Sequence, residues 1–246
     1  MNADPAAQLL LLDLQLLDTG LAQLAHRRRT LPELAVIVDA DDRLAALVGD
    51  VVRAETAVAD LDRAERRLES DVEQVRQRAD RDQQRMQAGG LPAKELTSLQ
   101  HEVESLHRRQ SELEDSVLEL MEQREESESA LTKLRSELDR IGLERDAALA
   151  ARDTAYAQID ADVVDRTARR AQLARTIPAD LLTLYEKIRE SAGGVGAAAL
   201  HQRRCEGCRL ELAGSELRAT RSAPPNEVLR CENCRRILVR TPESGL

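Results

Sequence analysis

Apolar residues recur with a seven-residue period along two stretches of the chain. The first repeat and its companion positions are Ile37, Ala40, Leu44, Leu47, Val51, Ala54, Val58, Leu61, Leu68, Val72, Val75, Ala79 and Met86. The second repeat runs through Leu96, Leu99, Val103, Leu106, Leu113, Val117, Leu120, Leu131, Leu134, Leu138 and Ile141. Apolar spacing of about 3.5 residues, sustained over many turns, is typical of helices that pack as a coiled coil. The pattern therefore predicts two long helices with matching apolar stripes.

The two repeats are separated by one clear break, residues 88–92, which read Ala-Gly-Gly-Leu-Pro. Glycine permits backbone angles that a helix does not, and proline is well suited to the first turn of a helix because it has no N–H to leave unpaired. We therefore predict that the chain reverses here and that the helices pack antiparallel, with the tip of the hairpin at 88–92. Residues that face each other should then have numbers that sum to about 180.

Polar residues interrupt both stripes, namely Glu65 and Asp82 in the first and Gln110, Arg124 and Ser127 in the second. Two interpretations are open. These residues either fix the register of the helices or show that a two-helix seam in contact with water tolerates polar side chains.

Breaks elsewhere divide the remaining helical sequence. Thr30 to Glu33 has the spacing of a capping box, in which the Thr30 hydroxyl would accept a hydrogen bond from the N–H of Glu33. Pro178 ends the long helix, and the three glycines of residues 191–196 suggest a hinge. A short last helix should pack on the leucine-rich first helix. We predict a helical domain over residues 1–190, with helices at about 6–29, 33–88, 92–175 and 179–190.

Composition limits the fold class further. The chain of 246 residues has 33% charged residues, no Phe and no Trp, which makes a thick globular core improbable over most of its length. No apolar run approaches the roughly 18 residues that cross a bilayer, and Leu9–Leu12 has neither a basic leader nor a cleavage site of small residues. We expect a cytoplasmic protein without a membrane partner.

The four cysteines form two C-x2-C pairs separated by twenty-two residues, and they are Cys205, Cys208, Cys231 and Cys234. Each pair can turn two sulfurs onto one ion, and two pairs complete a tetrahedron, so the spacing predicts one structural Zn²⁺. Four thiolates leave no open position for a catalytic water. The less favoured alternative is a pair of redox-active CxxC motifs, but no thioredoxin-like βαβ pattern accompanies them.

The segments beside the cysteines could form strands, and we expect these at residues 198–203, 209–212, 227–230 and 237–240. Together they predict a β zinc ribbon over residues 197–240, in which His201 is a solvated strand residue rather than a fifth ligand. The fold class expected for the whole chain is mainly α, a long antiparallel coiled-coil hairpin with a small C-terminal zinc ribbon.

Charge is unevenly distributed between these parts. Residues 197–240 carry nine Arg against five Glu, whereas residues 1–196 have a net charge of −12. The candidate phosphate contacts of the ribbon are Arg203, Arg204, Arg209, Arg218, Arg221, Arg235, Arg236 and Arg240. These arginines could equally pair with the local glutamates or with the acidic helices, and the ribbon lacks the aromatic residues that stack on single strands.

Several segments together resemble a known family. They are Gly89-Gly90, Lys94 to Leu96, Leu99 to Leu106, Ser111 to Asp115, Leu118 to Glu122 and Cys231 to Leu238 with the four cysteines. The chain resembles the bacterial C4-type zinc ribbon domain family over nearly its whole length. The resemblance implies a coiled-coil hairpin attached to a zinc ribbon, without known catalysis. It also implies links to flagellar regulation through an alternative sigma factor in some relatives and a suggested affinity for nucleic acid.

One position departs from that family pattern. Arg235 stands where a glycine often follows the last cysteine, so strain is expected in the second cysteine pair.

No nucleophile constellation, phosphate-binding loop or open metal site is recognisable, so we do not expect an enzyme or a small-molecule substrate. The favoured hypothesis is a non-enzymatic zinc-binding adaptor, with the coiled coil for a protein partner and the ribbon for a second macromolecule. The alternative is a DNA- or RNA-binding protein that acts through the ribbon. The wide leucine face of the first helix leaves a homodimer open.

Overall fold

The computed structural model describes all 246 residues and contains five helices and four short strands. The helices are α1 (Pro5–Arg29), α2 (Pro32–Gln87), α3 (Ala93–Thr176), α4 (Ala179–Ser191) and α5 (Gly214–Ser222). The strands are β1 (Ala197–His201), β2 (Arg204–Cys205), β3 (Leu229–Arg230) and β4 (Ile237–Arg240). The fold class expected from the sequence is confirmed: a long helical hairpin with a small C-terminal β element.

Contacts divide the chain into two compact units. The terminal unit consists of Met1–Leu34 and Ala150–Leu246, and the hairpin unit consists of Ala35–Leu149. No helix in either unit combines the length and apolarity needed to cross a bilayer.

In the hairpin unit, α2 and α3 run antiparallel along the predicted seam. Buried seam residues are Ala40, Ala79, Leu113, Leu131 and Ile141. Cross-helix ion pairs join Arg78 to Glu102, Arg85 to Glu95 at 3.9 Å and Arg43 to Glu137 at 3.5 Å. The numbers in each of these three pairs sum to 180, as predicted. In the pairs Arg124–Asp62, Arg145–Asp41 and Arg135–Glu55 they sum to 186, 186 and 190, so the sum exceeds the predicted value by up to 10 along part of the hairpin.

At the tip of the hairpin, Gly89 and Gly90 have φ angles of +73° and +82°. This left-handed region is readily open only to glycine. The N–H groups of Glu95 and Leu96 donate to the Pro92 carbonyl at 2.9 and 3.0 Å, which closes the first turn of α3. The pair of glycines is therefore what allows the chain to reverse.

Two of the polar residues that interrupt the seam contact each other. Glu65 is buried, and its Oε2 lies 2.6 Å from Nη1 of Arg124 on the opposite helix. The same guanidinium lies 3.5 Å from Asp62. Because a register shift would separate a buried carboxylate from its only cation, this contact favours the interpretation that polar seam residues help to fix register.

The prediction of a capping box at Thr30 is wrong. The Thr30 hydroxyl donates to the His26 carbonyl at 3.0 Å, and the Thr30 N–H also points back to the carbonyls of His26 and Arg27. Thr30 therefore completes the last turn of α1 instead of beginning α2. Helix α2 starts at Pro32, whose missing N–H needs no capping partner.

In the terminal unit, α1 and α4 pack against the sheet. The buried core includes Leu11, Leu14, Leu181, Tyr185, Ile188, Ala197, Ile237 and Val239. The predicted packing of the short helix on the leucine-rich helix is therefore present, and strands β1 and β4 share the same core. A second cluster joins Leu24 and Leu31 to Ile159 of α3.

A buried polar cluster lies inside this core. The Tyr185 hydroxyl of α4 donates to Oδ2 of Asp18 on α1 at 2.7 Å, with Oε1 of Gln15 at 3.1 Å. Arg170 of α3 donates to Asp18 through Nε at 2.5 Å. Burial, reinforced by the Asp18 carboxylate, raises the pKa of Tyr185, so the hydroxyl remains a donor at neutral pH.

The segment expected to be a hinge, residues 191–196, is tied to this cluster. Oε1 of Gln15 accepts the N–H of Gly196 at 2.7 Å, and Nε2 of Gln15 donates to the Gly194 carbonyl at 3.1 Å. A Cβ on Gly196 would lie 2.7 Å from the Tyr185 carbonyl oxygen, so only glycine fits. The link is held by hydrogen bonds and close packing.

The sheet has the strand order β2-β1-β4-β3, with β1 and β4 parallel and the two outer pairings antiparallel. The strand expected at 209–212 is absent, and only an isolated bridge pairs Glu211 with Arg204. The left-handed backbone of Arg209 turns the chain out of an extended path. Helix α5, which was not predicted, occupies part of the spacer between the cysteine pairs.

The Glu65–Arg124 contact gives a stability prediction for the hairpin. Glu65→Ala should leave Arg124 without its closest partner and lower the free energy of local opening by about 2 kcal/mol, less than for a fully buried pair. Hydrogen exchange of the amides around residues 65 and 124 measures this change.

The control is Glu69→Ala, because Glu69 is exposed on the same helix and makes no ion pair; the opening free energy should change by less than about 0.5 kcal/mol. The double variant Glu65→Leu with Arg124→Leu should regain or exceed the original value, because an apolar pair replaces a buried charged one. Equal losses in Glu65→Ala and Glu69→Ala would contradict the assignment.

Candidate metal centre

The four cysteines converge at one end of the small sheet. Cys205 ends β2, Cys231 follows β3, and Cys208 and Cys234 lie in the turns that come next. All four sulfurs lie within 4.8 Å of one another, and the Cys205–Cys234 and Cys208–Cys231 Sγ–Sγ distances are both 3.9 Å. Cys205 and Cys231 are fully buried, whereas the other two are partly exposed.

Both cysteine pairs adopt the same turn. The N–H of Arg209 donates to the Cys205 carbonyl at 2.7 Å, and the N–H of Arg235 donates to the Cys231 carbonyl at 2.9 Å. The N–H of Cys205 donates to the Leu210 carbonyl at 3.0 Å, and the N–H of Cys231 donates to the Arg236 carbonyl at 3.0 Å. Two copies of one turn therefore aim their sulfurs at a common point.

Arg209 and Arg235 have φ angles of +62° and +63°. The glycine-like conformation expected at Arg235 is therefore present, and the first pair has it as well. Left-handed backbone is unfavourable for a residue with a Cβ by about 1 to 2 kcal/mol. Both turns thus hold an arginine where glycine would relieve strain.

The geometry of the sulfurs fits a tetrahedral ion. Four sulfurs at the usual zinc distance of about 2.3 Å form a tetrahedron with edges of about 3.8 Å, close to the 3.9 Å observed here. A disulfide would need about 2.05 Å, and all four cysteines are free. The cluster is therefore positioned to hold a metal ion, and its four soft donors are consistent with zinc.

The electrostatics also favour a cation at this point. Burial raises the pKa of Cys205 to about 12 and raises the pKa of Cys231. Burial acts in the same direction on Cys234, but hydrogen bonds from the Arg236 N–H and from neighbouring thiols outweigh it and lower the pKa of that group. Four adjacent thiolates need a positive charge among them, which a bound divalent ion supplies.

Helix α5 supports the second cysteine pair. Glu216 is buried on this helix, and its Oε1 accepts the N–H of Glu232 at 2.9 Å. Sequence reasoning missed this contact because α5 has nine residues and few apolar positions, with Leu217 only partly buried. The signal was therefore too short to show a helical period.

Two of the predicted phosphate-binding arginines have structural roles instead. Arg236 donates to the carbonyls of Ala192, Val195 and Gly207 at 2.8 to 3.1 Å. Arg240 donates to backbone carbonyls of residues 223–227. Because a guanidinium in these positions is already hydrogen bonded, neither is available for a phosphate in the way the sequence suggested.

The remaining arginines of the ribbon are differently placed. Arg203 donates to the Gly245 carbonyl at 3.1 Å. Five others are exposed and make no ion pair: Arg204, Arg209, Arg218, Arg221 and Arg235. The alternative that these arginines pair with the local glutamates is therefore not observed.

His201 lies 3.5 Å from Glu243 and is 42% exposed, in keeping with a solvated strand residue.

Comparisons with known proteins agree with this architecture. A family model described as the CT398-like coiled coil hairpin domain matches residues 14–193, and one described as the C4-type zinc ribbon domain matches residues 204–238. The resemblance drawn from the sequence is thereby confirmed.

Individual proteins are similar over almost the full chain. An uncharacterised protein of Mycobacterium tuberculosis is 39% identical over 247 residues, which cover 98% of both chains. A structure from Mycobacterium smegmatis has a TM-score of 0.83 at 36% identity and covers 98% of this chain and 100% of its own. The structure of CT398 from Chlamydia trachomatis has a TM-score of 0.65 at 19% identity and covers 96% of this chain and 98% of its own. At this identity the similarity concerns the fold alone.

The contrast between neighbouring arginines can be tested. Arg236→Ala removes three hydrogen bonds to backbone carbonyls and should lower the free energy of unfolding of the terminal unit by about 2 kcal/mol. Arg235→Ala is the matched control, because this side chain is exposed and the backbone conformation is equally unfavourable for alanine; the expected change is within about 0.5 kcal/mol. Denaturant unfolding followed by circular dichroism measures both, and similar losses would refute the distinction.

Proposed function

Because the chain belongs to the family that joins a CT398-like coiled-coil hairpin to a C4-type zinc ribbon, we propose that it is a non-enzymatic zinc-binding adaptor. In this proposal the hairpin of α2 and α3 holds a protein partner, and the ribbon docks on a second macromolecule. The adaptor would take part in the regulation of transcription or in the assembly of a larger complex.

The proposed metal ligands are Cys205, Cys208, Cys231 and Cys234, which would bind one structural Zn²⁺. Their support is the near-tetrahedral spacing of the sulfurs and the repeated turn that presents them. Four protein ligands close the shell, so the ion would order the ribbon rather than activate water. Four free cysteines also suit a reducing compartment, for which we propose the cytoplasm.

The adaptor role depends on one observation: the hairpin unit consists of two helices with no further layer against them. Each helix buries only its seam, so most of its length faces solvent. Large apolar side chains are exposed outside the seam, including Val52, Leu118 and Leu143 at 56%, 59% and 72%. Such a surface offers extended contact area, which is what protein recognition by a coiled coil requires.

Nucleic-acid binding by the ribbon is the second candidate. It is favoured by the five exposed arginines without ion pairs, since an unpaired guanidinium is free to contact phosphate. Arg209 and Arg235 stand at equivalent positions of the two cysteine turns. The acidic character of the rest of the chain weighs against a broad nucleic-acid surface.

The zinc assignment predicts one zinc ion per chain by elemental analysis of purified protein. Cys231→Ser should lose that zinc and expose the amides of β1 and β4 to hydrogen exchange, because metal binding and folding are coupled. Acidification should also release the ion, since protons compete for the thiolates.

The matched control is His201→Ala, which should keep the full zinc content because this side chain lies outside the sulfur cluster. Protein that contains no stoichiometric zinc, or Cys231→Ser protein that retains it, would contradict the assignment.

The adaptor role predicts that partner capture depends on the hairpin. Deleting Arg53–Gln87 and Ala93–Ser127 removes five heptads from each arm and retains the tip, so the shortened chain keeps its seam pattern and should keep its zinc. Proteins captured by the full chain should be absent from captures with the shortened chain.

Retention of every partner by the shortened chain would argue against the adaptor role. The second candidate is distinguished by a separate measurement on the full chain, a gel shift with DNA and RNA at low and high salt. Salt-sensitive binding that is lost on Arg218→Glu with Arg221→Glu would favour it, and no binding at low salt would eliminate it.

A further inference from the structure

A shallow groove crosses the surface between α2 and α3 of the hairpin unit. It has a volume of about 370 Å³ and is lined by Glu69 and Val72 of α2 and by Glu114, Val117 and Leu118 of α3. Its floor is apolar and its edges carry carboxylates.

The seam does not account for all of its apolar side chains. Val72 and Val117 belong to the two heptad stripes and are partly buried, but Leu118 and Met121 lie outside them. They are 59% and 42% exposed. Because residues three apart share a helix face, these two side chains extend the groove by about one turn along α3. Methionine adapts its shape to an incoming side chain at little cost.

The charge around the groove is strongly negative. Residues 60–75 of α2 carry six acidic residues against three arginines, and residues 112–128 of α3 carry eight against one. The one basic residue within residues 112–128 is Arg124, and it already contacts Glu65. Eight carboxylates in this band make no ion pair: Glu69, Asp71, Glu114, Asp115, Glu119, Glu122, Glu125 and Glu126.

These features identify the kind of occupant. A groove between two parallel ridges of side chains accepts a third helix, and apolar residues spaced three or four apart on that helix would reach Val72, Leu118 and Met121. The unpaired carboxylates attract lysine and arginine and repel acidic surfaces, which disfavours a second copy of this same band. The acidic stretch of α3 is 17 residues long, so it matches an occupant of about 25 Å.

We propose that this groove, defined by Val72, Val117, Leu118 and Met121 and edged by unpaired carboxylates, is the docking site for a basic amphipathic helix of a partner protein. The inference rests on the proposed adaptor function and specifies the chemistry of the partner. Apolar contacts hold the helix in the groove, and the carboxylates select its charge.

The test uses three synthetic labelled peptides of about 18 residues with the full-length protein. The first has leucines at helical i, i+3, i+4 and i+7 spacing with lysine and arginine beside them; the second has the same leucines with glutamate; the third is a scrambled form of the first. Fluorescence anisotropy should show binding of the first peptide only, with an affinity that falls as salt is raised.

The variant Leu118→Ser with Met121→Ser should weaken binding of the first peptide about tenfold, equivalent to about 1.4 kcal/mol. The matched control is Leu143→Ser on the same helix, which removes an even more exposed leucine outside the acidic band and should leave the affinity unchanged. Circular dichroism should show that neither variant loses helix, because the substituted positions are exposed.

Equal binding of the scrambled peptide, or affinity that Leu118→Ser with Met121→Ser does not alter, would overturn the proposal. A concentration-dependent dimer that the same double variant disrupts would also overturn it, since the occupant would then be a second copy. Partners still captured through the hairpin by that variant would leave the adaptor function intact while refuting this groove, which separates the two failures.

Discussion

The buried polar cluster around Asp18 is the interaction on which the terminal unit depends. Tyr185, Arg170 and Gln15 meet there, so one carboxylate and one amide connect α1 with α3, α4 and the start of β1. Each group is costly to bury alone and is stabilised only when its partners are in place. The arrangement therefore specifies one packing of the leucine-rich helix among the several that apolar contacts would allow.

This cluster also connects the helices to the proposed metal site. Gln15 holds the backbone at Gly194 and Gly196, and the next residues form β1, which pairs with β4 beside the second cysteine turn. Arg236 ties the same segment to the first cysteine turn from the other side. The backbone that positions the sulfurs is thus held by the side chains of Gln15 and Arg236, which are far apart in sequence. The ribbon therefore shares the core of α1 and α4 through Ala197, Ile237 and Val239, and it has a smaller cluster of its own around Leu200, Leu212 and Leu238.

Local patterns allowed much of this structure to be anticipated. The heptads, the Gly89-Gly90 tip and the two C-x2-C pairs can be recognised by counting along the sequence, because helical period, turn chemistry and metal-ligand spacing each require particular residue types at fixed intervals. The roles of Arg236 and Arg240 could not be found in that way. Their partners are backbone carbonyls, which every residue has, so no sequence pattern distinguishes a guanidinium bound to carbonyls from one free for phosphate. The capping box at Thr30 was predicted wrongly for a related reason. A threonine hydroxyl between two helices can donate to a carbonyl at the end of the first helix or accept from an N–H at the start of the second.

The core that α1 shares with α4, β1 and β4 has a consequence for biosynthesis. Leu11 and Leu14 are made early, but the core that covers them includes Tyr185, Ile237 and Val239. At about 5 to 20 residues per second, the ribosome leaves those leucines without their partners for ten seconds or more. The two arms of the hairpin can meet earlier, because their contacts begin next to the tip. The nascent chain would therefore expose the apolar face of its N-terminal helix throughout most of translation.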